Sequence, residues 1–383
     1  MNEQQQHADA IDYLLIIGFG GTFLLCLCSV GFIFFRTYLS SPSVESTQGS
    51  SLFWMVIALF LISLPSAIIS FRAIQGQKIP LLNPPKVKLR YILLLFPLVL
   101  VLGYFTLEKP NRITVLNPVV HIVAAAIPAL FAILLVLRHS TRISQRRFWG
   151  SLFIGTWIIP TSAIIAELVL MIVGITTLLV RSLSTAEGQA LLDSLSNPEN
   201  WASESMIESY AELLDQPIVL VSIVVFVCVF VPLIEESLKS TVILPILGRK
   251  PSSSESFLSG VLGGVGFAFV EATLLTPTGT DWTQTMFIRG AATMMHTFTA
   301  GMTCWGIGQA ITYKRWNRFF GAFAIAVTMH GLWNAAAIVG LSTVALAGLI
   351  LIPDRLREDW DGLTPHTSEN SDLPPAPSPQ VQT

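Results

Sequence analysis

Nine stretches of this chain run apolar for 17 to 34 residues with almost no charge inside them. At 1.5 Å per helical residue, each is long enough to cross a hydrocarbon core about 30 Å thick. A run of that length satisfies its backbone in lipid only as a helix, and strands of a β-barrel would alternate in polarity instead. The fold class expected is therefore all-α, a polytopic transmembrane helix bundle of about 9–10 spans. Composition agrees: 52% of residues are hydrophobic, 12% are charged and the mean hydropathy is +0.65. Soluble globular domains carry about 25% charge. A soluble enzyme, a nucleic-acid-binding domain and a disulfide-stapled secreted module are all excluded by these figures.

The spans are read at 13–35, 52–71, 91–107, 118–137, 151–180, 218–247, 257–275 and 286–311. A last run at 319–352 is 34 residues long and is expected either to continue as one helix or to break near 340–342. Basic residues set the orientation. The loops 72–90, 138–147, 248–256 and 312–318 together carry fourteen Lys and Arg, against five on the opposite side. The first set, and the N-terminus with it, is expected in the cytoplasm. The stretch 182–217 has seven carboxylates and no Lys or Arg, which suits an extracytoplasmic loop. Within it, Asn197 and Pro198 can start an amphipathic helix with Ile207, Tyr210 and Leu214 on one face. The N-terminus lacks the basic segment of a cleaved signal, so the first run is expected to stay as a span. The cysteines Cys26, Cys28, Cys228 and Cys304 lie in apolar runs without a CxxC pair, and offer neither a disulfide nor a zinc site.

This divides the chain into a cytoplasmic tail (1–12), a five-span region of unassigned role (13–181) and the acidic loop (182–217). A second helix bundle (218–353) and a Pro- and Ser-containing tail (354–383), expected to be disordered, complete it.

The two bundles differ in what they put into lipid. Glu167, Glu235, Glu236, Lys239, Glu271, His296 and His330 all fall inside apolar spans. Each charge at mid-membrane costs at least about 2.5–3.5 kcal/mol, so these groups need a shared polar cavity. Helical spacing allows one. Lys239 is four residues after Glu235 and three after Glu236, so one ammonium reaches both carboxylates. Pro232 bends the helix just before them. His330 and Asn334 are four apart, as are Phe267 and Glu271, and Arg289 and His296 are seven apart. Counted from the cytoplasmic ends of their spans, Glu235, Glu271, His296 and His330 lie about 18, 21, 23 and 17 Å deep. Four helices alternating in direction bring their polar residues to one level. Three carboxylates facing one buried lysine do not all ionise cheaply, so either a proton or a metal cation shares the site.

Glu235-Glu236-x-x-Lys239, Phe267-x-x-x-Glu271, Arg289 with His296, and His330-x-x-x-Asn334 resemble, in that order, the PrsW family of intramembrane endopeptidases. That family is related to the CAAX prenyl-protease and bacteriocin-processing superfamily. The resemblance runs from Val231 to Asn334 and says nothing about residues 1–217. It implies hydrolysis of a peptide bond in or beside a transmembrane segment of a membrane protein substrate. On this resemblance the catalytic residues are Glu235, Glu236, Glu271, His296, His330 and Asn334, with Lys239 in support. Glu235 polarises the attacking water, and Glu236 assists it or holds Lys239. Glu271 shares the water or a metal, His296 is a ligand or proton partner, and His330 and Asn334 stabilise the oxyanion. Whether the enzyme is a glutamate-type protease or a metalloprotease stays open. A divalent metal such as zinc would take Glu235, Glu271, His296 and His330, although no HExxH spacing is present.

Competing readings exist. The EExxK cluster can be a buried ion-pair network with a packing role, His296 can satisfy a backbone carbonyl, and Asn334 can serve as interhelical glue. Arg289 is expected to snorkel at the outer interface, His121 to be an interfacial polar residue and Phe267 to pack. Glu167 can line the cavity without any motif to support it. For the whole protein, the alternative is a secondary transporter or proton-coupled carrier, since membrane carboxylates paired with Lys and His also build ion sites. Such a carrier should show related halves, and the polar residues here fall almost wholly in the second. A third reading, a catalytically idle membrane scaffold, predicts that the motif residues are replaceable.

Overall fold

The computed structural model describes residues 12–21, 23–24, 27–28, 46–82, 87–108, 117–138, 143–182, 189, 216–247, 251–274 and 281–351. The expected amphipathic helix in 182–217 and the polar tail 354–383 lie outside them. Residues 1–335 form one compact unit and residues 336–383 a second, described only over the end of one helix.

In chain order, the helices are α1 Asp12–Gly21, α2 Ser46–Ile74, α3 Leu89–Gly103 and α4 Asn117–Leu137. Then come α5 Gln145–Phe153 and α6 Ile159–Ser182, joined by a π-helical turn at Ile154–Ile158. Next, α7 Pro217–Val225 passes through a second π-helical turn, Phe226–Phe230, into α8 Val231–Lys239. The 3₁₀ turn Ser240–Ile243 and α9 Leu244–Leu247 end that span. Last are α10 Ser253–Leu274, α11 Trp282–Tyr313 and α12 Trp316–Leu351.

Seven helices among the described residues are long and apolar enough to span a membrane. The protein is thus an integral, multi-pass, all-α bundle. Helix α11 accounts for an eighth expected span but falls short on hydropathy, because its threonines, its glycines and His296 face protein rather than lipid. The ninth, 13–35, is described only in part. The last run does not break near 340–342: α12 is one helix throughout.

Glycine decides how the centre packs. Gly260 and Gly264 of α10 lie where a Cβ would fall 2.3 Å from the Ala300 carbonyl oxygen and 2.6 Å from that of His296. On another side of α10, a Cβ on Gly266 would meet the Gly155 carbonyl carbon at 2.8 Å. The GVLGGVG stretch is therefore the seam along which α11 and the α5–α6 turn approach the same helix. Small residues permit such backbone approach where lipid offers no hydrophobic drive to associate. Phe267, Val242, Ile243, Ile159 and Ala163 close one end of this core.

The basic loops share one end of the bundle. Leu81–Leu82 (β1) pairs antiparallel with Ile143–Ser144 (β2), tying two of them together. Arg147 donates to Glu255 at 2.6 Å, and Thr312 Oγ1 donates to the Pro251 carbonyl at 2.9 Å. Arg146 pairs with Asp12 at the start of α1. The start of α10 is a reciprocal cap: Ser252 Oγ accepts from the Glu255 amide at 3.3 Å and Glu255 accepts from the Ser252 amide at 2.9 Å.

His121 is not interfacial. It is buried in the joint between α4, α10 and α11, where Nδ1 accepts from Trp282 Nε1 at 3.0 Å and Nε2 lies 3.3 Å from the Thr273 carbonyl. Trp282 is buried with its six-membered ring against Gly103 of α3, so its indole N–H needs an acceptor away from water, and His121 supplies it.

Candidate active site

The EExxK motif sits on α8, immediately after the π-helical turn Phe226–Phe230. Pro232 has no N–H, so backbone carbonyls one turn before it lose their intrahelical donor. Asn334 of α12 repairs this: its Nδ2 donates to the Val227 carbonyl at 2.9 Å. One turn earlier on α12, a Cβ on Gly331 would stand 2.3 Å from the Cys228 carbonyl oxygen. The glycine lets α12 approach the disrupted turn closely enough for Asn334 to reach it, and the same approach brings His330 to α8.

Lys239 is fully enclosed, and its ammonium spends its three protons on three acceptors. It donates to Glu235 Oε2 and to Glu236 Oε1, each at 2.9 Å, and to His296 Nδ1 at 2.7 Å. Phe267 lies beneath it, with the ring centroid 4.3 Å from Nζ. The expected packing residue is thus also a cation–π support.

An ammonium has no lone pair, so His296 Nδ1 must accept, and its proton resides on Nε2. That N–H donates to Glu271 Oε2 at 2.8 Å. Arg289 donates to the other oxygen of Glu271 at 2.6 Å. Arg289 therefore does not snorkel outward; a half-buried carboxylate one helix away holds it. Glu236 is fully buried, and its Oε1 also accepts from Thr299 Oγ1 at 3.1 Å and from His330 Nδ1 at 3.0 Å. By the same reasoning the His330 proton is on Nδ1, leaving the Nε2 lone pair open. That lone pair is 3.8 Å from Glu235 Oε2, and His296 Nδ1 is 3.9 Å from the same oxygen. The two imidazoles meet edge to face with centroids 4.8 Å apart.

Four helices, α8, α10, α11 and α12, thus bring Glu235, Glu236, Lys239, Glu271, His296 and His330 into one hydrogen-bonded cluster. Asn334 stands beside it, engaged with backbone. Thr299 joins them without belonging to a motif; its signal in the sequence is its position three residues after His296. The network gives the two adjacent glutamates different surroundings. Glu236 is closed in by three donors, whereas Glu235 keeps a 9% exposed side chain and faces the open nitrogen of His330.

Glu235, His296 and His330 can each offer one metal-ligand atom, all within 4.8 Å of one another. Glu271 is outside this set, with both oxygens committed to His296 and Arg289. One carboxylate and two imidazoles suit zinc in kind. With Lys239 in place the fit fails, since its ammonium already binds Glu235 Oε2 and His296 Nδ1. A dication would have to displace it.

Comparison with known proteins agrees with the location of this cluster. The model of the PrsW family, described as intramembrane metalloprotease, matches residues 203–353. No curated protein and no solved structure matches the chain. The segment that carries every residue of the cluster is thus the one that matches the PrsW family of intramembrane proteases, as the motifs had indicated.

Proposed function

We propose that this protein is an intramembrane endopeptidase in which Glu235 activates water to hydrolyse a peptide bond in or beside a transmembrane segment of its substrate. The observation that carries the reading is the 3.8 Å gap between Glu235 Oε2 and the bare Nε2 of His330. Two polar atoms just beyond direct contact are spaced for a bridging water. A water held there has two acceptors for its protons and an oxygen lone pair free to attack.

In this reading the water oxygen adds to the substrate carbonyl carbon and its proton passes to Glu235. The C–N bond then breaks, and the proton moves to the departing nitrogen, giving a carboxylic acid and an amine. Lys239 fixes the Glu235 carboxylate and holds positive charge beside the developing oxyanion. Glu236 anchors Lys239 and orients His330 through Nδ1. Glu271 fixes His296 in the tautomer that accepts from Lys239, and Arg289 fixes Glu271. Asn334 is a positioning residue, because its amide is occupied by the Val227 carbonyl. No step is routed through a metal, since Lys239 holds Glu235 Oε2 and His296 Nδ1.

The test is purified protein in liposomes with a panel of single-span peptides, read by mass spectrometry of the products. Cleavage at a defined bond, at a rate that chelator leaves within about twofold, is the expected result. A rate abolished by chelator and restored by zinc would put a metal where Lys239 now binds. Proton or solute uptake without cleavage would replace the hydrolytic reading with a carrier.

A further inference from the structure

One half-buried carboxylate, with a buried oxygen, is left unused by this mechanism. Glu167 lies on α6, outside the segment that matches the protease family. Ile159, Ala163 and Glu167 are spaced four residues apart and so share one helix face. The first two are buried in the cluster that also contains Phe267, Val242 and Ile243. That face is therefore turned toward the side of the core where Phe267 supports Lys239 and His296. Helix α6 packs along α8, and Glu167 is within Coulombic reach of Glu235, Glu271 and Lys239. Its Oε1 is buried and has no hydrogen-bond partner among the described residues.

The charges around it are unbalanced. Glu167 brings the carboxylates to four, with Glu235, Glu236 and Glu271, against the permanent cations Lys239 and Arg289. All three protons of Lys239 are committed elsewhere, and Arg289 is bonded to Glu271. A buried carboxylate oxygen without a donor is costly, and a partner carrying both a donor and a positive charge relieves it best. Ile164, Ile165, Leu168 and Ile172 are exposed on the neighbouring positions of α6. In a bilayer this surface faces lipid, the medium through which a single-span substrate arrives.

We propose that Glu167 is a specificity-determining residue that accepts from a basic side chain, Lys or Arg, of the substrate close to the scissile bond. The proposal rests on the hydrolytic reading above. It gives the N-terminal region, no described residue of which belongs to the cluster itself, a role in choosing what is cut. A carboxylate aimed at a basic side chain holds that chain by a charge-assisted hydrogen bond, and a neutral isostere forfeits most of it.

The experiment is a set of single-span peptides identical except for one residue, Lys or Gln, placed in turn at each of the four positions on either side of the cut. The wild-type protein should prefer Lys over Gln by about tenfold or more in kcat/KM at one of these positions. In Glu167→Gln that ratio should fall to near one. Equal cleavage of the Lys and Gln peptides by the wild type at every position overturns the proposal without any variant. An undiminished ratio in Glu167→Gln overturns it equally. Failure of the wild type to cut any peptide would instead strike the hydrolytic reading, so the two failures are distinguishable.

Discussion

The span Leu89–Leu107, which begins with α3, and helix α10 are both long enough to cross the same bilayer, yet they have opposite characters. The α3 span is 17% buried within the protein and shows Leu93, Leu94, Leu98 and Val101 to its surroundings, whereas the α10 span is 83% buried. The difference comes from side-chain size. Large aliphatic groups on α3 hold neighbouring helices apart and suit contact with lipid. The glycines of α10 let two neighbours approach to backbone contact, and Glu271 on the same helix reaches His296 and Arg289 of α11. Polar groups in this protein are stable where small residues have first made an interior that excludes acyl chains.

Gly260→Leu attacks that contrast most severely. Its side chain would start 2.3 Å from the Ala300 carbonyl oxygen, with backbone rather than a flexible tip as the obstacle. Overpacking against movable side chains costs about 1–3 kcal/mol; here the obstacle is backbone and two helices must part, so folded protein recovered in detergent should fall to near nothing. Wild-type yield and melting temperature would show that α10 and α11 are not sealed by small residues.

Lys239→Met comes next. It leaves Glu235 and Glu236 buried without their ammonium, a loss of about 3–5 kcal/mol for a broken buried ion pair. Activity should disappear with it. A stable, active Lys239→Met would mean that something else, such as a metal ion, holds the carboxylates together.

Asn334→Ala is expected to be milder. Removing the donor to the Val227 carbonyl should cost about 1–2 kcal/mol in stability and less than tenfold in kcat. A loss of 10²–10³ in kcat at unchanged stability is what an oxyanion donor would give, and would return Asn334 to that role. The smallest effect belongs to α3. Leu98→Ala, at a residue that is 65% exposed on the protein surface, should move stability by no more than about 0.5 kcal/mol.

Much of this arrangement is legible in the sequence, because the energetics of lipid are unforgiving. Continuous apolar runs give the spans, and the penalty for charge in hydrocarbon makes Glu235, Lys239, Glu271, His296 and His330 conspicuous. Motif order and shared depth then indicate one cluster. Partnership is harder to read. Whether Arg289 snorkels or turns inward depends on Glu271 of another helix lying within reach, and spacing along one helix carries no such information. The function of Asn334 is hidden for a similar reason: the unpaired carbonyl it serves arises on α7–α8, from a proline five residues beyond it. The place of His121 is not legible in the sequence either, because its binding partner, Trp282, is 161 residues away.

The most direct test of the central claim is the rate of single-span peptide hydrolysis by Glu235→Gln and His330→Ala beside the wild type, each checked to be folded. Both remove one side of the space where the attacking water is placed. The expected result is loss of cleavage by about 10² or more in each variant, with the peptide still bound. Wild-type rates in either folded variant would show that the water is not activated between these two residues.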